Sequence, residues 1–149
     1  MVESAYQLFE EKENLKAFRM IEESLKYFQR LTKNTTYYFE YVLRNLNKKA
    51  LSILQEGKFF KFYIKKGNIE DSKFFFFKLE ELLRTFKESF SARVTGETLN
   101  NISIWMRKAG QFKMSMEYLD KCQRVMEKSK IPYGILHINK SVVYSNMER

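Results

Sequence analysis

The side chains that could do chemistry in this 149-residue chain are few and far apart. His137 is the sole histidine and Cys122 the sole cysteine. Nucleophilic catalysis needs a base within reach of the nucleophile, and a zinc site needs several ligands at set spacings. Neither residue has such a neighbour. Glu22-Glu23 and Glu80-Glu81 are adjacent pairs on predicted helices, where consecutive side chains point in different directions. They read as solvated faces, not as an acid/base pair. The sequence holds no glycine-rich phosphate loop, no GxSxG elbow and no Cys/His cluster. The expectation is a protein that is not an enzyme, with no metal and no cofactor.

Binding chemistry is better represented. Residues 58–66, KFFKFYIKK, mix lysines with aromatics. An aromatic RNA-binding motif needs its rings on alternate positions of a strand. Here Lys58, Lys61 and Lys65 fall on one helical stripe and Phe59, Phe62 and Tyr63 on another. A core helix with a solvated lysine face is one reading, and an anion-binding face is the other. The formal charge is +9, spread as +2 over residues 1–50, +2 over 51–100 and +5 over 101–149. Such a balance favours acidic partners: nucleic acid, acidic protein segments or an anionic surface. Lysine outnumbers arginine, and acidic peptide or filament surfaces fit at least as well as nucleic acid.

The elements that would position these groups are helices. Apolar residues make up 44% of the chain and aromatics 16%, ample for a core, whereas five glycines and one proline are too few for the turns of a β-sandwich. No apolar run is long enough to span a membrane, and the start lacks the basic-then-apolar lead of a secretory signal. One cysteine rules out an internal disulfide and suits a reducing, cytoplasmic setting. Its expected role is a small buried residue at a helix crossing. Asn-x-Ser/Thr sequons at Asn34, Asn101 and Asn139 read as chance, two of them lying inside predicted helices.

The clearest unit spans residues 98–128. Leu99, Ile102, Trp105, Met106 and Ala109 recur at three- and four-residue steps on one helix, and Ser115, Leu119, Cys122 and Met126 on the next. Gly110 marks the turn between them. Small residues occupy the positions where two backbones would come closest. This unit resembles a tetratricopeptide repeat, a helix–turn–helix of 34 residues. Gly110 and Phe112 match the family's glycine-plus-aromatic turn. Ser115 and Cys122 match its two small positions on the second helix, with Tyr118 the aromatic between them. Ser103 stands where the family has glycine or alanine, Leu99 where it has tryptophan, and Cys122 where it has alanine.

Fainter copies flank it. Asn139-Lys140-Ser141-Val142-Val143-Tyr144 echoes Asn101-Ile102-Ser103-Ile104-Trp105-Met106 after about 38 residues. Upstream, residues 65–69 followed by Ser72 and Leu79 repeat the turn and its small-residue slots, and Asn14, Ala17, Ile21 and Ser24 share the spacing. Residues 4–32 form one helix, or a hairpin if the chain breaks near Glu13-Asn14. Residues 32–35 read as a loop, followed by a helix toward Gly57. The strongest helical period runs from Ile69 to Phe90, and its FFFF run makes it apolar on more than one side. Residues 91–96 are expected to be a linker, 129–134 another, and 135–147 a last helix that lacks its partner.

The resemblance implies an all-α fold of about seven helices, antiparallel hairpins stacked as a right-handed superhelix (an α-solenoid) in a single domain over residues 1–149, with 97–128 its best repeat and 135–149 a partial one. It implies a protein–protein interaction scaffold within a larger assembly. The first helix of each repeat would line a concave groove, which places Asn100, Asn101, Ile104, Arg107 and Lys108 in it, with Asn139 in the next unit. An asparagine amide both donates and accepts, and Arg107 and Lys108 could meet a carboxylate. The same residues could instead be solvated surface or contacts with the adjacent unit. Expected partners are a peptide or an acidic filament surface such as a tubulin lattice. Helical-repeat RNA binding through Lys58, Lys61 and Lys65 is the alternative.

Overall fold

The computed structural model describes residues 5, 7–9, 13–31, 36–55 and 66–148. All regular structure among them is helical, as the periodicity predicts. The elements are α1 (Asn14–Leu31), α2 (Thr36–Gln55), α3 (Lys66–Thr85), a 3-10 turn (Lys87–Ser89), α4 (Ala92–Lys108), α5 (Phe112–Lys128) and α6 (Ile135–Met147). Lys58, Lys61 and Lys65 lie outside the described residues, as does all of the basic-aromatic run except Lys66, which opens α3, so that Gly67 and Asn68 fall in a helix and not in the turn expected there.

At the N-terminal end the hairpin alternative holds. Glu13 interrupts the helix, and the rings of Phe9 and Phe18 lie 5.4 Å apart. A continuous helix would separate residues nine apart by about 13.5 Å along its axis. The chain therefore turns back before α1. Ala17, Phe18, Ile21 and Leu25, at three- and four-residue steps, are then buried. In α2 the apolar stripe runs unbroken through Arg44-Asn45, burying Phe39, Val42, Leu43, Leu46, Ala50 and Leu54.

The FFFF run shows how helix geometry distributes one apolar block. Successive side chains fan out by about 100°. Phe74 and Phe75 meet Phe18 of α1 at 5.2 and 5.7 Å. Phe76 and Phe77 meet Trp105 of α4 at 6.0 and 5.7 Å. Thus α3 is sandwiched between neighbours. Trp105 is pinned further by its indole N–H, which donates to the Ile69 carbonyl at 3.0 Å.

Residues 91–96 are not a linker. Ser91 caps α4, its hydroxyl accepting the Val94 N–H at 3.4 Å, and the helix runs on through Gly96. The misreading has a cause: glycine ordinarily signals a break, but here it permits contact. The Cys122 thiol donates to the Gly96 carbonyl at 3.2 Å, and a Cβ on Gly96 would run into the Met126 side chain. Seven residues on, the Ser115 hydroxyl donates to the Ser103 carbonyl at 2.8 Å and lies 3.0 Å from the Ser103 hydroxyl. Small residues seven apart on both helices therefore meet pairwise, and α4 and α5 lie antiparallel in close contact.

The turn between them is built as its sequence suggests. Gly110 takes φ +82°. Its N–H donates to Arg107 and that of Gln111 to Met106, at 3.0 and 2.8 Å, closing the end of α4. The end of α5 repeats this arrangement with Lys130 at φ 56°, where Ile131 donates to Met126 and Lys130 to Glu127. Then α6 returns along α5 and α4, burying Leu136 and Val143. Its Lys140 ammonium donates to Asp120 at 2.9 Å and to Gln123, both on α5.

Candidate functional site

The asparagines expected in a groove serve as struts between helices. The Asn47 amide, 7% exposed on α2, donates to the Leu43 carbonyl at 2.8 Å and to the Thr98 hydroxyl of α4 at 2.9 Å. Its carbonyl oxygen accepts from Asn101 at 2.9 Å. Thr98, fully buried, passes its own proton to the Val94 carbonyl at 2.8 Å. One helix further, Asn139 of α6 donates to Asn100 of α4 at 2.7 Å. These amides are held by the molecule itself, so Asn100, Asn101 and Asn139 offer a partner less than free amides would. Of their three helices, α4 sits in the middle, tied to α2 on one side and to α6 on the other.

The other expected groove residues divide. Ile104 is half-buried against the core. Arg107 is half-buried, and burial pushes its guanidinium below its ordinary pKa, though an arginine stays charged at any physiological pH. Lys108 is exposed at the last turn of α4. Asn47 was invisible to sequence reasoning, since an isolated asparagine on a helix carries no signal of its partner 51 residues away.

Beside the Asn47 network, α2 and α4 leave a shallow depression of about 430 Å³. Tyr37, Tyr41, Arg44 and Lys48 of α2 and Glu97 of α4 line it. Tyr37 is 84% exposed and Tyr41 49%. Arg44 leans toward Glu40 at 3.8 Å, a surface pair of little energetic weight. With Glu40 and Glu97 against Arg44 and Lys48 the lining is balanced in charge. Two large rings on a satisfied polar floor are its distinctive chemistry. No protein-family model matches this chain, and neither a curated protein nor a solved structure does.

The titratable and nucleophilic groups sit in structural surroundings. Cys122 is fully buried, and burial raises its thiol to about 11, far from the thiolate a nucleophile requires. Glu80 lies near the Tyr118 phenol, whose pKa is raised mainly by burial and then by that carboxylate. Glu81 pairs with Lys78 at 3.0 Å, so the two neighbouring acids have separate surroundings. His137 is exposed on α6. No group of three or more His, Cys, Asp or Glu able to hold a metal occurs among the described residues, and no described helix is long and apolar enough to cross a membrane.

Proposed function

We propose that this chain is a non-catalytic protein-interaction scaffold, its hairpins stacked as a tetratricopeptide-like right-handed superhelix, and that the α2–α4 depression takes an extended segment of a protein partner. The observation that carries the reading is the pair of tyrosines on its rim. Exposed tyrosines present large, stiff, amphipathic surface at low entropic cost, which is why they recur at protein interfaces. The stacked reading is supported by the way α4 is tied to both α2 and α6 through asparagine amides. The net charge of +9 favours acidic segments over the whole surface, with an acidic filament lattice as one partner class. Within the charge-balanced depression, stacking supplies the anchor, and the net charge of the whole chain supplies the steering.

A displayed library of random peptides selected against the chain tests this. Recovered peptides should bind at least about tenfold more weakly to Tyr41→Ala or Tyr37→Ala, the scale of losing one aromatic anchor. They should bind unchanged to Arg124→Ala on α5. If binders instead ignore both tyrosines, the depression is not the site. If the chain binds random-sequence RNA with a salt slope of several released counterions, the RNA reading replaces this one.

A further inference from the structure

The lining of the α2–α4 depression is rich in hydrogen-bond donors and poor in free acceptors. Tyr37, Tyr41, Arg44, Asn45 and Lys48 of α2 each carry an O–H or N–H group there. Neither phenol has a hydrogen bond among the described residues. Asn45 spends one amide hydrogen on the Tyr41 carbonyl at 2.8 Å and keeps the other. Two side chains of the lining only accept: Glu40, which faces Arg44 at 3.8 Å, and Glu97 across the depression on α4. The Asn47 amide is already spent on Leu43, Thr98 and Asn101.

An occupant that matches this lining offers carbonyls and few N–H groups. A helix does not, because its carbonyls are bonded internally. An ordinary extended segment brings one N–H for every carbonyl. Proline brings a carbonyl and no N–H, and in the polyproline II conformation those carbonyls have no internal partner. Aromatic side chains are also the surface against which such segments dock. The balanced charge of the depression favours an uncharged stretch over its rings. A shallow site repays little ordering, and polyproline II is ordered before it binds.

The dimensions agree. Along α2 the lining extends from Tyr37 to Leu51, about 21 Å at the rise of a helix. At about 3.1 Å per residue, about seven residues of polyproline II fill that length. Tyr37 and Tyr41 stand about 6 Å apart along the helix axis, the rise of two such residues. Pro132, between α5 and α6, is the one proline in the 149 residues, so none of them forms the occupant.

We infer that the segment taken by the depression, given that this is where a partner segment docks, is a proline-rich stretch of about seven residues in polyproline II conformation. Its prolines lie against Tyr37 and Tyr41, and its carbonyls accept from the donors of α2.

The probe is a labelled peptide of seven prolines with two glutamates at each end, titrated with the full chain by fluorescence anisotropy. Its counterpart carries valine and threonine in alternation between the same glutamates, a strand-forming sequence that keeps every N–H. The proline peptide should bind saturably and at least about tenfold more tightly than the counterpart. Tyr41→Phe should weaken it about two- to tenfold, the scale of one lost hydrogen bond, and Tyr41→Ala should weaken it further. Both tyrosines are exposed, so these variants should keep the helical circular dichroism and melting temperature of the natural chain. Equal binding of the two peptides, with both lost in Tyr41→Ala, overturns the proline assignment and leaves the depression as the site. Binding indifferent to Tyr37→Ala and Tyr41→Ala overturns the site itself. A proline peptide that shows no saturable binding up to about 1 mM overturns the assignment as well.

Discussion

Removing the Asn47 amide should uncouple α2 from α4, and the size of the effect follows from its partners. Asn47→Ala deletes two bonds between helices, to the Thr98 hydroxyl and from the Asn101 amide. It costs little at Leu43, whose carbonyl keeps its helical partner. Each neutral hydrogen bond contributes about 1 kcal/mol net. The bond from half-exposed Asn101 is worth less, because water can replace it there. The hydroxyl of Thr98 still donates to Val94, so no buried donor is orphaned. Adding a small void, the expected loss is about 2–3 kcal/mol, or roughly 5–10 °C in a domain of this size.

Urea unfolding of Asn47→Ala, Thr98→Val and the double variant isolates the buried bond as a coupling free energy of about 1 kcal/mol. Asn47→Ala with Asn139→Ala provides the contrast, because those side chains belong to separate bonds and should add without coupling. Asn47→Leu should cost less than Asn47→Ala, since it fills the void without stranding a donor. Coupling below about 0.3 kcal/mol between Asn47 and Thr98 would refute the view that this network joins the two helices.

Three further outcomes are expected. Ser103→Leu should destabilise the chain by about 2–3 kcal/mol in urea by forcing α4 from α5, whereas Ser141→Leu at the equivalent exposed place on α6 should shift stability by less than about 0.5 kcal/mol. Lys130→Gly should stabilise by roughly 0.5–1 kcal/mol, read as a higher urea midpoint, because φ 56° strains any residue with a Cβ. The Cys122 thiol keeps its proton in the native state up to about 11, whereas its ordinary value is 9.0; between those pH values the unfolded state binds fewer protons, so stability falls as pH rises through that window. Cys122→Ser should flatten that slope in thermal melts taken at increasing pH, and an unchanged slope would assign it to other groups such as Tyr133, which burial raises to about 12.

Legibility in the sequence followed the range of the interactions. Helices declared themselves because their signals recur within a few residues: the stripe Phe18, Ile21, Leu25, the block Phe74–Phe77, the glycine at 110. Gly96 misled because its local meaning, a break, opposes its meaning in the fold, a crossing. That meaning depends on Cys122 and Met126, 26 and 30 positions away. Lys130 escaped notice for the converse reason, taking a glycine-like conformation without glycine. Asn47 left no trace, because a lone polar residue on a helix looks solvated until its partner on another helix is known.

The asparagines carry this point furthest. Each could be read as a hand extended to a ligand or as a bond to the next helix, and nothing within three or four residues separates the two. What separates them is which helices lie beside them. An asparagine on α4 has a helix on either side to bond with, and Asn100 and Asn101 use one each. Asn139 on α6 reaches back in the same way, leaving the forward side of its helix with no such bond among the described residues. The amides of Asn100 and Asn101 are therefore taken up by neighbouring helices, whereas Ser141, whose sequence counterpart Ser103 is buried against α5, lies exposed on α6.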